Sequence, residues 1–404
     1  MNDSIQNSEV LIGNYIKTLR KKHKIKKSEY LPTGAIPVVD QSQAFIAGYI
    51  NDTKRAYDGQ LPVIVFGDHT CTLKYVNFPF AVGADGTQLI HPTKDFDIRY
   101  FYYALRNLPL EHFGYQRHFK YLKTSKVFCP SMHVQRKIAT VLSAYDDLIE
   151  NNTRRIKILE DMAQTLYQEW FVHFQFPGHE NVPMVESPLG PIPQGWKIKK
   201  LADLVETQYG YTESATEDEV GPKFVRGKDI NKTSYIDWNT VPFCPIESAK
   251  HATYKLIVGD ILVIRMADPG KVAIIEKEID AVFASYLIRL KLRSNLLSPY
   301  YLFYALSDKH YQNYIYGVST GTTRKSASAG VITGFDLVIP TEDIRNRFEG
   351  IIVSQRKTLS NLLEKNVNLR QTRDLLLSKL ISGEIDVSEL DIDTDNMPLG
   401  DIVH

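Results

Sequence analysis

Several side-chain clusters in this chain suit contact with a polyanion better than bond-breaking chemistry. Lys17, Arg20, Lys21, Lys22, His23, Lys24, Lys26 and Lys27 form one dense basic run. Arg117, His118, Lys120, Lys123 and Lys126 form another, interleaved with Phe119 and Tyr121. Cations neutralise phosphates, while aromatic rings and amides meet sugars and base edges. A run of charge is equally what a solvated face looks like, so both readings stand. Two turns add finer candidates. In Phe224-Val225-Arg226-Gly227-Lys228-Asp229 a strand-like run gives way to a polar turn suited to presenting Arg226 and Lys228 to a groove. The loop Gly317-Val318-Ser319-Thr320-Gly321-Thr322-Thr323-Arg324-Lys325-Ser326 permits close approach through its small hydroxyl residues, and Arg324 can be bidentate to guanine. The same loop also fits an ordinary flexible surface segment. Arg265, at the end of the strand-like run Asp260 to Arg265, joins this group with Lys325. Gln41, Ser42 and Gln43 follow Ile36-Pro37-Val38-Val39-Asp40 at a place comparable to Arg226, and amides suit adenine edges. Asp68, His69 and Thr70 form a polar cluster after Val65-Phe66-Gly67, where a lone histidine is more often structural.

No catalytic constellation accompanies these groups. Gly317 to Gly330 lacks the Gly-Lys-Ser/Thr ending of a phosphate-cradling loop, so ATP binding is unsupported. The turn Ala267-Asp268-Pro269-Gly270 offers one carboxylate, without the second proline and aromatic of an adenine-methyltransferase loop. Asp260 and Glu276-Lys277-Glu278 do not give the spacing with which a nuclease holds a metal and activates water. Cys71, Cys129 and Cys244 are isolated and without metal-ligand spacing, which fits a reducing cytosol.

The net charge of +1 conceals an asymmetry: residues 384–404 carry seven acidic groups and no Lys or Arg, leaving 48 basic against 40 acidic residues elsewhere. That excess is modest and gains meaning only through its clustering. At 404 residues, with 43% hydrophobic, the chain is long enough for two cores. No stretch approaches 18 apolar residues and the N-terminus lacks the pattern of a signal peptide, so a cytoplasmic protein without a membrane span is expected.

The elements that position these groups repeat. Ile138, Leu142, Tyr145, Ile149, Asn152, Ile156, Leu159, Ala163, Leu166 and Trp170 advance by alternating fours and threes. So do Phe348, Ile352, Gln355, Leu359, Leu362, Asn366, Leu369, Arg373, Leu376 and Leu380, about 210 residues later. A mostly apolar seam of nearly five heptads requires a partner helix, and the nearest candidate is the other copy. Each helix of about 40 residues is roughly 60 Å long. Asn152 and Asn366 interrupt the seams, where one polar residue can fix register or merely aid solubility. Each helix follows a β-branched run ending in proline, Val127-Phe128-Cys129-Pro130 and Leu337-Val338-Ile339-Pro340, read as the last strand of a globular unit. Tyr103-Ala104-Leu105 and Tyr304-Ala305-Leu306 mark matching short helices upstream.

The predicted class is therefore α+β: two β-rich α/β domains alternate with two long helices that pair as an antiparallel coiled coil around an internal pseudo-twofold. The expected boundaries are 1–131 for the first domain, 132–173 for its helix, 174–197 for a proline-rich extended linker, 198–340 for the second domain and 341–383 for its helix. An acidic, mobile tail then occupies 384–404. The sequence reads as a spacer holding two related recognition heads.

Three stretches then resemble the specificity subunits of Type I restriction-modification systems: Leu148-Ile149-Glu150-Asn151-Asn152 through Leu159-Glu160-Asp161-Met162-Ala163-Gln164-Thr165-Leu166 to Trp170-Phe171; Leu189-Gly190-Pro191-Ile192-Pro193-Gln194-Gly195-Trp196; and Leu369 through Arg373-Asp374-Leu375-Leu376 to Lys379-Leu380-Ile381-Ser382-Gly383-Glu384-Ile385. At the start, Leu11-Ile12-Gly13-Asn14 departs from the Leu-Gly-Asp-like turn usual in the family. The resemblance covers nearly the whole chain and implies a non-catalytic reader of double-stranded DNA. Each target-recognition domain would take one half of an asymmetric bipartite site, and the helices would set the gap. The implied partners are two modification subunits, which methylate adenine with S-adenosylmethionine, and restriction (motor-nuclease) subunits that use ATP and Mg. No cofactor is expected in this chain. A protein-interaction scaffold with two related heads is the alternative, its basic clusters being solvated surface.

Overall fold

Val63-Ile64-Val65-Phe66-Gly67 is buried at every position, and a strand without a polar face must lie inside a sheet. The computed structural model describes residues 7–83, 86–110, 118–294, 296–320 and 325–394. It divides the chain into two compact units, one formed by Met1–Thr153 with Leu363–His404 and the other by Arg154–Leu362.

The first unit contains β1 (Ser8–Leu11), β2 (Ile16–Thr18), β3 (Ile36–Val39), β4 (Gly48–Ile50), β5 (Val63–Gly67), β6 (Leu73–Val76), β7 (Ala81–Val82) and β8 (Thr87–Pro92). Helices α1 (Ile98–Arg106) and α2 (Phe119–Thr124), strand β9 (Lys126–Cys129) and the start of α3 (Met132–Tyr167) follow. An antiparallel sheet runs β2-β8-β5-β6, a second runs β4-β3-β7 with β3 parallel to β7, and β1 pairs with β9. The Asp97 carboxylate accepts the amides of Arg99 and Tyr100, starting α1. Tyr100, Phe101 and Tyr103 then pack with Ile64, Phe66 and Ile90 in one core, which also receives Ile138 and Leu142 of α3.

The second unit repeats this plan. It holds the hairpin β10 (Met184–Val185) and β11 (Ile192–Pro193), then β12 (Lys197–Lys200), α4 (Leu201–Leu204), β13 (Val205–Tyr209), β14 (Lys223–Val225), α5 (Ser248–Tyr254), β15 (Ile261–Ile264), β16 (Met266–Ala267) and β17 (Val272–Ile274). After these come β18 (Ala281–Phe283), β19 (Leu287–Leu292), α6 (Pro299–Ser307), α7 (Lys309–Val318), β20 (Lys325–Ser326), α8 (Ala329–Thr333), β21 (Asp336–Ile339) and α9 (Glu342–Ile381). Its main sheet is β13-β19-β15-β17, β14 lies parallel to β18, and β12 pairs with β21. The four-stranded sheet, the parallel pair and the pairing of first with last strand thus recur, while β4 has no paired counterpart strand among the described residues of the second unit and β16-β20 and β10-β11 are additions there. The fold is the expected one, two β-rich domains alternating with two long helices.

Within each unit α3 and α9 run antiparallel. In the first, the Asn152 amide donates to Asn366 Oδ1 at 2.9 Å, while Ile138 and Leu142 share their core with Leu377, Leu380 and Ile381. Rising numbers on one helix meet falling numbers on the other. In the second unit the rings of Tyr167 and Trp170 lie 6.3 and 6.2 Å from that of Phe348. Of the seam residues, Ile138, Leu142, Ile156, Phe348, Ile352, Leu359 and Leu362 are buried, and Ile149, Leu159, Leu166, Leu369 and Leu376 are half-buried. Leu377 enters the core ahead of Leu376, the drift of a 3.6-residue helix against a seven-residue repeat.

Two expectations are corrected. The proline-rich stretch is no free spacer, since Phe176, Ile192 and Trp196 are buried in the core of the second unit. The tail is also docked as far as it is described: Val387 is buried in the first unit's core, and Lys137 Nζ donates to the carbonyls of Ser388 and Leu390, both at 2.7 Å. Gly383, at φ +77°, stops α9 in the left-handed conformation that favours glycine. Residues 395–404 lie outside the described residues.

Candidate nucleic-acid interface

In the first head the parallel pair β3 and β7 and the antiparallel pair β5 and β6 deliver two polar loops to one place. Gln41 Oε1 accepts the His69 amide at 3.1 Å, and the Gln41 carbonyl accepts the Thr70 hydroxyl at 2.6 Å. Gly67 permits this approach, because a Cβ there would collide with the Thr70 hydroxyl and the Gln41 Cβ. Ser42 donates its amide and hydroxyl to Asp40 Oδ1 at 2.9 and 2.6 Å, and Gln43 is exposed. Beneath the loop, Lys74 of β6 is 3% exposed and donates to the carbonyls of Asp40 at 2.7 Å and Ala44 at 2.5 Å. Burial outweighs the nearby Asp40 charge and pushes its pKa down to about 8.

Asp68 ties a third element to this cluster. Its carboxylate accepts the Phe119 amide at 2.9 Å and its carbonyl accepts the His118 amide at 2.8 Å, seating α2 beside the β5 loop. Lys120 and Lys123 of α2 are exposed, the latter 4.7 Å above the Phe119 ring. Gln41, Ser42, Gln43, His69, Thr70, Lys120 and Lys123 are therefore on connected elements of one head. Arg117 lies outside the described residues.

The second head builds the corresponding surface from different chemistry. Asp229 takes Arg226 Nε and Nη2 at 2.9 and 3.0 Å and the Arg226 amide at 2.8 Å, so the guanidinium is matched internally. Lys228, in the same turn, is exposed. The Ala284 amide donates to the Val225 carbonyl and the Arg265 amide to the Tyr286 carbonyl, both at 2.9 Å, which links this turn to the exit of β15. There the Arg265 guanidinium lies 4.9 Å above the Tyr209 ring, and its buried Nε has no hydrogen-bond partner among the described residues. Lys325, on β20 paired with β16, donates to the Tyr316 carbonyl at 3.2 Å and sits 3.1 Å from the ring centroid. Tyr209, Tyr286 and Tyr316 are exposed around these cations, giving rings on which an aromatic face or guanidinium can stack. Gly321, Thr322, Thr323 and Arg324 lie outside the described residues.

Sequence reasoning missed the residues that hold these loops and side chains in place: Asp40, Lys74, Asp229 and Tyr209. For Lys74 a signal existed, since it shares the inward face of β6 with the buried Val76, and a lysine among apolar alternates calls for a buried partner. Asp229 and Tyr209 carried no comparable mark. Among the described residues no group of three or more His, Cys, Asp or Glu side chains is placed to hold a metal, and no helix is long and apolar enough to cross a membrane.

A family model described as Type I restriction modification DNA specificity domain matches residues 11–161 and 193–369. The chain is 29% identical over 276 residues to the Type I restriction enzyme MjaIX specificity subunit of Methanocaldococcus jannaschii, covering 67% of this chain and 62% of that protein. Over 389 residues it is 22% identical to a Type I restriction enzyme specificity subunit of Escherichia coli, covering 88% of this chain and 90% of that one. The chain spans less than two-thirds of the length of the MjaIX and MjaVIII relatives, 62% and 64%. In structure it is similar to the S subunit of a Type I restriction-modification system from M. genitalium, with a TM-score of 0.57 and 14% identity over 94% of this chain and 97% of that one, a likeness of fold. With two matched segments that together cover most of its length, and with each head built on the same strand plan, the chain belongs to the Type I restriction-modification DNA specificity family.

Proposed function

We propose that this chain is the non-catalytic DNA-recognition subunit of a Type I restriction-modification complex. Each head reads one half of an asymmetric bipartite site, while α3 and α9 set the gap and dock two modification subunits. One observation carries this reading: two heads that share a four-stranded sheet order and a parallel strand pair present different chemistry at the equivalent turn, Gln41-Ser42-Gln43 after β3 and Arg226-Gly227-Lys228 after β14. A shared scaffold with divergent polar tips suits two unlike half-sites, since amides match adenine edges and cations match guanine edges or phosphates. The division of labour leaves methylation, with S-adenosylmethionine, to the modification subunits. ATP- and Mg-dependent steps belong to the restriction subunits. An adenine inside a duplex is flipped out before it is methylated, so the reader's part is to hold the duplex in register.

The test is sequencing of adenine methylation in cells that express a cognate modification subunit with and without this chain. A split, asymmetric motif that appears only with the chain is expected. An assembled complex that produces no new motif would defeat the reading and favour a protein-interaction scaffold.

A further inference from the structure

Gln41, Ser42, Gln43, His69 and Thr70 gather in the first head, and their bonding separates them. Gln41 is engaged with the His69 amide and the Thr70 hydroxyl, Ser42 is held by Asp40, and His69 and Thr70 are half-buried. Gln43 alone of the five is exposed, and it makes no hydrogen bond among the described residues. The residues around it are pinned. Lys74 Nζ draws in the carbonyls of Asp40 and Ala44, one before and one after Gln43. The Asp40 carboxylate holds Ser42 through Oδ1 and receives the Tyr30 hydroxyl at 3.1 Å through Oδ2. The loop is thus wound around a buried ammonium and leaves the Gln43 amide exposed.

We propose that Gln43 reads an adenine edge in the half-site of the first head and that Lys74 is its positioning residue. This rests on the DNA-reading function above and deepens it. A primary amide sets an NH2 donor group beside a carbonyl acceptor, the pair that adenine N7 and N6 match in the major groove. An amide on a pre-shaped loop loses little freedom on binding, which is where a buried lysine contributes affinity without touching the ligand. A lysine is an expensive way merely to fill the core beneath a loop, because its charge is desolvated there. Two converging carbonyls give it a purpose. Among the described residues the second head has no such device: β17, which pairs with β15 as β6 pairs with β5, reads Val272-Ala273-Ile274, and its turn is closed by Arg226 on Asp229. The effect is therefore confined to one half-site.

The experiment is methylation-motif sequencing of the full complex carrying Gln43→Ala, Gln43→Arg, Lys74→Met, or Gln43→Ala with Lys74→Met. Gln43→Ala is expected to relax one adenine position of one half-site, lowering its preference by about 5- to 150-fold. Lys74→Met is expected to relax that same position, the double variant to be no worse than Gln43→Ala, and Gln43→Arg to shift the position toward guanine. The other half-site stays unchanged throughout. An unaltered motif in both Gln43 variants would overturn the proposal, as would Lys74→Met acting at other positions or on both halves together. A wild-type complex that yields no motif would instead sink the broader functional reading.

Discussion

Lys228 stands in a turn whose other cation is already matched, so Arg226 and Lys228 are not equivalent despite lying two residues apart. A lysine at such a tip acts as a point charge on phosphate. Lys228→Ala is expected to weaken specific and non-specific duplexes alike and to lower the salt slope of binding by about one, which titration at several ionic strengths measures. A changed base preference would contradict that assignment. Lys74 has a separate signature in stability. Its folded pKa, about 8, lies below the ordinary 10.5, so between these values the unfolded chain binds the proton more tightly and this group's contribution to stability rises with pH. The stability gap between wild type and Lys74→Met should shift in favour of wild type by on the order of 1 to 2 kcal/mol from pH 7 to pH 9.5, followed by denaturant unfolding. The polar loops after β3, β5 and β14 were legible in the sequence because polar residues after β-branched runs announce strand exits. Whether a cation there is free was not legible: Asp229 neutralises Arg226 through a bidentate geometry that a turn sequence does not specify.

At the scale of elements, the Asn152 and Asn366 pair is the most discriminating feature of the helix seam. Both amides are buried, and Asn366 also donates to the Ile149 carbonyl at 3.4 Å and Thr153 Oγ1 at 3.3 Å. Replacing one asparagine with leucine leaves the other without its cross-helix amide partner and is expected to cost about 1–3 kcal/mol. Replacing both should recover much of that loss, a coupling that a double-mutant cycle by denaturant unfolding would measure. Additive losses would show that the two amides do not depend on each other. The periodicity of Ile138, Leu142 and Ile156, repeated in Phe348, Ile352 and Leu359, made both helices readable. Strands such as Lys223–Val225 were readable from β-branched runs between turn residues. The docked tail and linker were not, because proline content and negative charge do not reveal that Trp196 and Val387 are buried.

For the whole molecule, the proposed ruler has a metric consequence. Matched four-residue insertions after Thr153 in α3 and after Leu362 in α9 would lengthen the helices by about 6 Å. Expected is a methylated motif whose gap grows by one or two base pairs, with both half-sites intact. An unchanged gap would remove the helices from that role. The same boundaries also have a meaning in time. Residues 154–362 form their unit from one continuous stretch, whereas the other unit joins residues 1–153 to 363–404. During synthesis the second unit has all its residues before the first does, although the first was begun earlier. Until the last turns of α9 emerge, the nascent chain lacks Leu377, Leu380, Ile381 and Val387, and the apolar surface of Ile138, Ala139 and Leu142 that meets them stays uncovered. The N-terminal head is therefore the last to mature, and the window in which it exposes that surface is set by the translation of the C-terminal segment.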